Sequence, residues 1–242
     1  MPTASLSPEA LHRLLGRRDL TDPNEGPHAM QLLLQEIHTA VGVRLSVPRR
    51  LCRTQPVRRQ PGEAGGAGSL RLRQEPAGPP PEAADVLELD APPSLLLVCP
   101  GPVFGRADDG RVHLHGHRLS LWYLGEEMPS STLLPALVQT AVRAAVPGRH
   151  YRLVPAAGYG LRSSFAVEAQ GSESWVHVGH CGIGSQNDRD AVGLVLELEP
   201  LLILRKELPD AALIHSTDLE VQSHMQDLLP YREDAGGYQA GA

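Results

Sequence analysis

Hydrophobic periodicity changes half-way along one segment of this chain, Ala191 to Asp210, AVGLVLELEPLLILRKELPD. Leu194, Leu196 and Leu198 alternate with Gly193, Val195, Glu197 and Glu199, the period-two pattern of a half-buried strand. Leu201 to Leu204 then form an apolar block running into Arg205, Lys206 and Glu207, which predicts a buried helix ending before Pro209. Pro200 stands at the junction, and its missing N–H and pre-set φ suit the first residue of a helix. The segment therefore reads as a core strand running straight into a helix.

The same reading places the other elements. Ser7-Pro8-Glu9 starts a short helix with Leu11, Leu14 and Leu15 on one face. Asp19 to Pro27 is rich in turn formers, and Met30, Leu33, Leu34, Ile37 and Val41 follow helical spacing, on a helix that also carries His28 and His38. Ser94 to Pro100 is a continuous apolar run, the signature of a strand buried on both faces. Gly101 to Tyr123 reads as strand, turn at Ala107–Gly110, and strand. Ser130 to Ala145 is the best amphipathic helix, with Leu133, Leu134, Leu137, Val138, Ala141 and Val142 on one face and Pro147-Gly148 as its stop. Strands are expected at Tyr151–Val154, Ser163–Ala169 and Ser174–His180, and a closing helix at Thr217–Leu228 with Asp218 and Glu220 in its first turn. The pattern divides the chain into N-terminal helices (1–43), a Pro/Gly/Arg-rich loop region (44–93), a core (94–232) and a frayed tail (233–242), and it specifies an α+β fold with a mixed sheet.

Composition adds limits. A chain of 242 residues with 41% apolar and 21% charged positions is sufficient for one globular core. No apolar run approaches the ~20 residues of a membrane-spanning helix, and MPTASLSPEALHRLLGRR has no apolar signal region. Cys52, Cys99 and Cys181 are too scattered for a disulfide framework, so a reducing, cytoplasmic setting is expected. A formal charge of −6 argues against wholesale nucleic-acid binding and against DNA as a partner. The local cluster Arg44, Arg49, Arg50, Arg53, Arg58 and Arg59 leaves two readings open, an RNA-facing patch or a solvated arm without the aromatic residues that stack on bases.

Three stretches carry a resemblance: VCPGPVFGR, WVHVGHCG, and the segment from Gly193 to Asp218 that includes LRKELPDAALIHSTD. They resemble the class II aminoacyl-tRNA synthetases, most closely the catalytic α-subunit of phenylalanyl-tRNA synthetase and its stand-alone bacterial relatives. The resemblance implies a class II synthetase-type antiparallel or mixed sheet flanked by helices, and a homodimer. It also implies ATP-dependent amino-acid activation with magnesium, and tRNA or a carrier as acceptor. By position Arg106 matches the arginine that binds the α-phosphate, and Arg111, His113 and His117 match the loop and the histidine that follow it. Arg118 and Ser120 replace the glutamine and acid that recognise the substrate ammonium, and His177 and His180 replace two glutamates. Gly193 and Glu199 keep their positions in the third motif, whereas Val195 and Glu197 replace glycines and Pro200 replaces the phosphate-binding arginine. Arg71, Leu72 and Arg73 stand where a histidine, threonine and serine line the family's pocket. The resemblance thus nominates Arg106, Arg111 and His113 as catalytic, His117, Arg118, Ser120, His177 and His180 as substrate-binding, and Gly193 and Glu199 as cofactor-binding, with no metal ligand. Histidine is a poor magnesium ligand and a cation repels an ammonium, so the implied chemistry is impaired or altered.

Two other classes stay open. His113, His115 and His117 alternate along one strand, about 7 Å apart in successive pairs at ~3.3 Å per residue, and with Cys181 they are a donor set for zinc. Against that, Gly116 interrupts the strand, and His177 and His180, three apart, do not share a face of a regular strand. The remaining class is a non-catalytic scaffold that binds a partner or RNA, since fold does not dictate function.

Overall fold

The computed structural model describes residues 9, 12, 16–53, 57–60, 69–72, 94–106, 112–125, 130–156, 163–186 and 189–232. Within them α1 spans Ala29–Leu45, followed by β1 (Arg49–Leu51), β2 (Val57–Gln60) and β3 (Ser69–Leu72). Next come β4 (Ser94–Arg106), β5 (Val112–Gly125), α2 (Ser130–Ala145), β6 (Tyr151–Pro155), β7 (Ser163–Gln170) and β8 (Trp175–Gln186). The chain closes with β9 (Arg189–Glu197), α3 (Leu198–Lys206), a 3-10 turn at Ala211–His215 and α4 (Leu219–His224). Seven strands form one sheet in the order β1-β4-β5-β9-β8-β7-β6, parallel at β1–β4 and antiparallel elsewhere, while β2 and β3 pair separately. The expected α+β architecture with a mixed sheet is present.

Alternation along the strands builds two cores. Leu96, Val98, Leu119, Leu121, Leu194 and Leu196 share a cluster with Leu33 and Ile37 of α1, Leu137 and Val138 of α2, and Leu201 and Leu202 of α3. The other face gathers Leu95, Leu97, Cys99, Trp122, Leu124, Ala191 and Val195. Burial of one large aliphatic side chain stabilises by about 1.5–3 kcal/mol. Because β4 feeds both clusters, its first half is apolar without alternation, as the sequence indicated.

Several boundaries moved for identifiable reasons. The segment 94–106 is one strand rather than a strand followed by another from Gly101. α3 opens at Leu198, two residues ahead of Pro200, which makes the proline its third residue. The first four N–H groups of a helix have no intrahelical acceptor, so Pro200 forfeits nothing there. His28 caps α1 instead of lying within it, its Nδ1 accepting the Met30 N–H at 3.1 Å. The closing helix is only six residues long, with Asp218 as its N-cap rather than in its first turn. Beyond that helix the chain folds back on Lys206: 1% exposed, its Nζ donates to the carbonyls of Asp227 (3.0 Å) and Leu229 (2.7 Å) and to the Asp227 carboxylate (2.8 Å). Those three acceptors satisfy a buried ammonium. The expected turn at Ala107–Gly110 and the tail from Glu233 lie outside the described residues. So does the first predicted helix, save for Glu9 and His12, which are helical.

Two β-bulges decide which side chains share a face. In β5 the register passes from Phe104↔Leu114 to Val103↔Gly116, which leaves His115 as the extra residue. Strand parity inverts there, so His113 and His115 face away from His117, and the expected line of three histidines on one side does not form. Gly116 bends β5 without ending it. In β8 the register passes from Val167↔Gly179 to Glu168↔His177, with Val178 extra. His177 and His180, three apart, therefore do share a face, contrary to the regular-strand expectation. Gly179 makes this bulge possible, because a Cβ there would run into the carbonyl oxygen of Val195. We expect Gly179→Ala to destabilise the fold by roughly 2–4 kcal/mol through that backbone collision, read from urea denaturation. A change below about 0.5 kcal/mol would show that the bulge tolerates a side chain.

Candidate functional site

The sheet face away from the helices carries most of the expected substrate-side residues. Arg118, Ser120 and Trp122 of β5 stand opposite Glu197, Val195 and Gly193 of β9, and Val195 and Gly193 stand opposite His180 and Gly182 of β8. Arg118 Nε donates to Glu197 Oε1 at 2.6 Å, with both side chains mostly buried. The cation at the expected ammonium position is thus already paired, with the residue that replaced a motif glycine. Trp122 lies across Gly193: a Cβ there would stand 2.7 Å from Cη2 and 2.8 Å from Cε3 of the indole. Ser120 is half-buried between Cys99 and Val195.

The imidazoles complete this face. His180 is buried, and desolvation, then the charges of Arg118 and His177, bring its pKa down to about 4. It is a neutral ring at pH 7. His177 is exposed beside Glu168, which pairs with Arg152 at 2.6 Å, and Arg152 stacks 4.5 Å above the Trp175 ring. Among the described residues, the lining of this face does not fit ATP with magnesium. The indole occupies the space above Gly193, and Glu168 and Glu197 are each engaged by an arginine. Neutral imidazole is not a hard oxygen ligand for magnesium. Cys181 points into the helix-side core, where burial raises its thiol to about 12, so it does not converge with the histidines as a zinc thiolate. Among the described residues no three His, Cys, Asp or Glu side chains gather at metal-binding range.

His117 and Glu199 meet on the other side of the sheet. Both carboxylate oxygens of Glu199, in the first turn of α3, accept the His117 backbone N–H, at 3.0 and 2.8 Å. His117 Nδ1 donates to Glu199 Oε1 at 2.7 Å, and its Nε2 accepts the Leu20 N–H at 3.2 Å, which fixes the tautomer. The ring is fully buried, and Asp19 and His215 flank the pair, His215 stacking on His117 at 6.0 Å between centroids. Gly116 leaves room for the carboxylate, since a Cβ there would stand 2.9 Å from Glu199 Oε2. Burial alone raises the Glu199 pKa, but the hydrogen bonds from the His117 ring and backbone outweigh it and hold it below the usual value.

The expected residues therefore fall into two groups. Arg118, Ser120, His177, His180 and Gly193 share the open face, while His117 and Glu199 form a contact with Leu20 behind it. His113 is exposed, with its ring 6.4 Å from His115. Arg106 ends β4, Arg111 lies outside the described residues, and the Arg106 side chain is likewise not described. Trp122 was missed, although a large aromatic two positions from Ser120 on the same strand face was a readable signal. Leu20 and His215 gave none, since nothing local links them to Glu199.

No family model matches the chain, and no curated protein matches it in sequence. Among solved structures, pyrrolysyl-tRNA synthetase from Desulfitobacterium hafniense aligns with a TM-score of 0.54 at 16% sequence identity, over 87% of this chain and 80% of that one. The fold is that of a class II aminoacyl-tRNA synthetase catalytic domain.

Two outcomes follow from this geometry. His117→Ala removes the partner of a buried carboxylate and should destabilise by roughly 3–5 kcal/mol in chemical denaturation, whereas His113→Ala and His115→Ala should each stay within about 0.5 kcal/mol. Burial also lowers the His28 pKa, from 6.5 to about 4, the same value as His180. Both rings stay neutral in the fold while the unfolded chain takes up protons below 6.5, so stability is full above that pH and lost as it falls toward 4. Each contributes up to about 3 kcal/mol to the loss. Urea midpoints measured across this window should fall with pH, and less steeply in His28→Gln and His180→Gln; a flat wild-type profile would contradict this.

Proposed function

We propose that this chain is a phenylalanyl-tRNA synthetase α-type member of the class II architecture in which amino-acid activation with ATP and magnesium is impaired. The observation that carries the reading is Trp122 lying across Gly193, in the space that the resemblance assigns to the nucleotide. The Arg118–Glu197 pair supports it, because a guanidinium stands where the resemblance places recognition of the substrate ammonium, and at 2.6 Å it takes up the neighbouring carboxylate that could receive a cation. Pro200, without a side-chain charge, stands where the resemblance places the phosphate-binding arginine. Loss of one preorganised electrostatic stabiliser typically costs ~10²–10³ in rate, and several are altered together here.

The same observation favours a second reading, a non-catalytic scaffold. In it the sheet and its helices are retained, and the chain acts by binding a protein partner or RNA, as a homodimer. The two readings differ in residual adenylate chemistry. ATP–pyrophosphate exchange with each of the twenty amino acids separates them: a weak, amino-acid-dependent signal marks impaired activation, and exchange at background marks the scaffold. Exchange at rates ordinary for a synthetase would overturn both.

A further inference from the structure

A cavity of about 420 Å³ opens on the helix-covered side of the sheet, opposite the face that carries Trp122. Its apolar surface comes from Leu20, Leu114, Ile214 and Met225. Arg17, Arg18, His28 and His215 stand around it. The volume is within the range of about 300–1,000 Å³ common to small-molecule sites.

The charges around this cavity do not balance. Arg17 makes no ion pair among the described residues, and Arg18 donates only to the Pro27 carbonyl, at 3.1 Å. The one carboxylate in the lining, Glu25, accepts the Asp19 backbone N–H at 2.6 Å and sets a single negative charge against the two guanidiniums. His28 is spent as well, because Nδ1 accepts from Met30 and Nε2 donates to the Ile214 carbonyl at 3.3 Å. His215 is different. Its side chain is 43% exposed, and its Nε2 lies 3.7 Å from Glu199 Oε1, beyond hydrogen-bonding distance. Two exposed guanidiniums without an ion pair among the described residues, and an imidazole whose Nε2 makes no hydrogen bond, thus border an apolar-floored cavity with a single carboxylate in its lining, in a protein whose overall charge is −6.

We propose that this cavity binds a small organic anion, a carboxylate or a phosphate monoester with an apolar body. The charged group lies among Arg17, Arg18 and His215, and the body rests on Leu20, Leu114, Ile214 and Met225. Guanidinium forks match the geometry of both oxyanions, and an apolar floor rewards a hydrocarbon portion. The groups that face His215 are Glu199, His117, His28 and Arg17. Burial holds its pKa below 6.5, the charge of Glu199 opposes this, and His117 and Arg17 add to it. A bound anion favours the imidazolium, so binding takes up a proton and strengthens as pH falls. This site is independent of whether the opposite face retains ATP chemistry.

Calorimetric titration of the full chain with hexanoate and with hexyl phosphate, near pH 6 and pH 8, tests the proposal and separates the two oxyanions. We expect saturable one-to-one binding of at least one probe, weakened tenfold or more in Arg17→Gln/Arg18→Gln. His215→Gln should remove the part of the pH dependence that does not come from titration of the probe itself. Arg152→Gln, on the other face, should bind as wild type. Circular dichroism confirms that each variant is folded. No saturable binding of either probe, undiminished binding in the double variant, or an equal loss in Arg152→Gln would overturn it.

Discussion

A single buried carboxylate ties together three segments that are far apart in sequence. Glu199 opens α3, accepts both the backbone and the ring N–H of His117 from β5, and through that ring reaches the Leu20 N–H of the N-terminal turn. Each of these groups is costly to bury alone, and together they leave no donor or acceptor of the imidazole unpaired. The contact fixes where α3 leaves the sheet and how the turn ahead of α1 sits against β5. Gly116 is part of the same device, since the bulge it forms provides the room the carboxylate occupies.

The bulges then divide the histidines by function. Without the one in β5, His113, His115 and His117 would lie on one side of the sheet. With it, His117 becomes a structural ring and the other two are left in solvent. The bulge in β8 works in the opposite sense and brings His177 and His180 onto the face that carries Arg118, Ser120 and Trp122. That face is a row of short-range compensations: a guanidinium on a carboxylate, an indole over a glycine, a desolvated neutral imidazole. Each meets a neighbour on the adjacent strand, and none is directed outward as a preorganised charge.

The C-terminal strap shows the same economy of polar groups. Lys206 is among the most buried side chains of the protein, and its ammonium is satisfied only because residues 227–229 fold back to it, with the Tyr231 N–H returning to the Lys206 carbonyl at 2.6 Å. A buried ammonium without those acceptors would be strongly destabilising. The strap also shapes the helix-side cavity, because Met225 and Gln226 line it as the chain leaves α4.

Hydrophobic period by itself determined the order of elements from β4 onward, the double-sided burial of β4, the core stripe of α2, and the strand-to-helix passage at the end of β9, but not the strands β1, β2 and β3, which lie in the segment read as loop. Those are local properties, set by which positions must leave water along one stretch of chain. Sequence also pointed to Arg118, Ser120, His177 and His180 as positions where ligand-facing chemistry differs from the pattern they resemble. Only the tertiary structure decided that His117 and Glu199 belong to a buried contact, that Trp122 fills the space above Gly193, that Glu197 neutralises Arg118, and that His177 and His180 share a face. The reason is physical: a one-residue bulge inverts side-chain parity for the rest of a strand, and an ion pair depends on register between strands that are 79 residues apart in sequence.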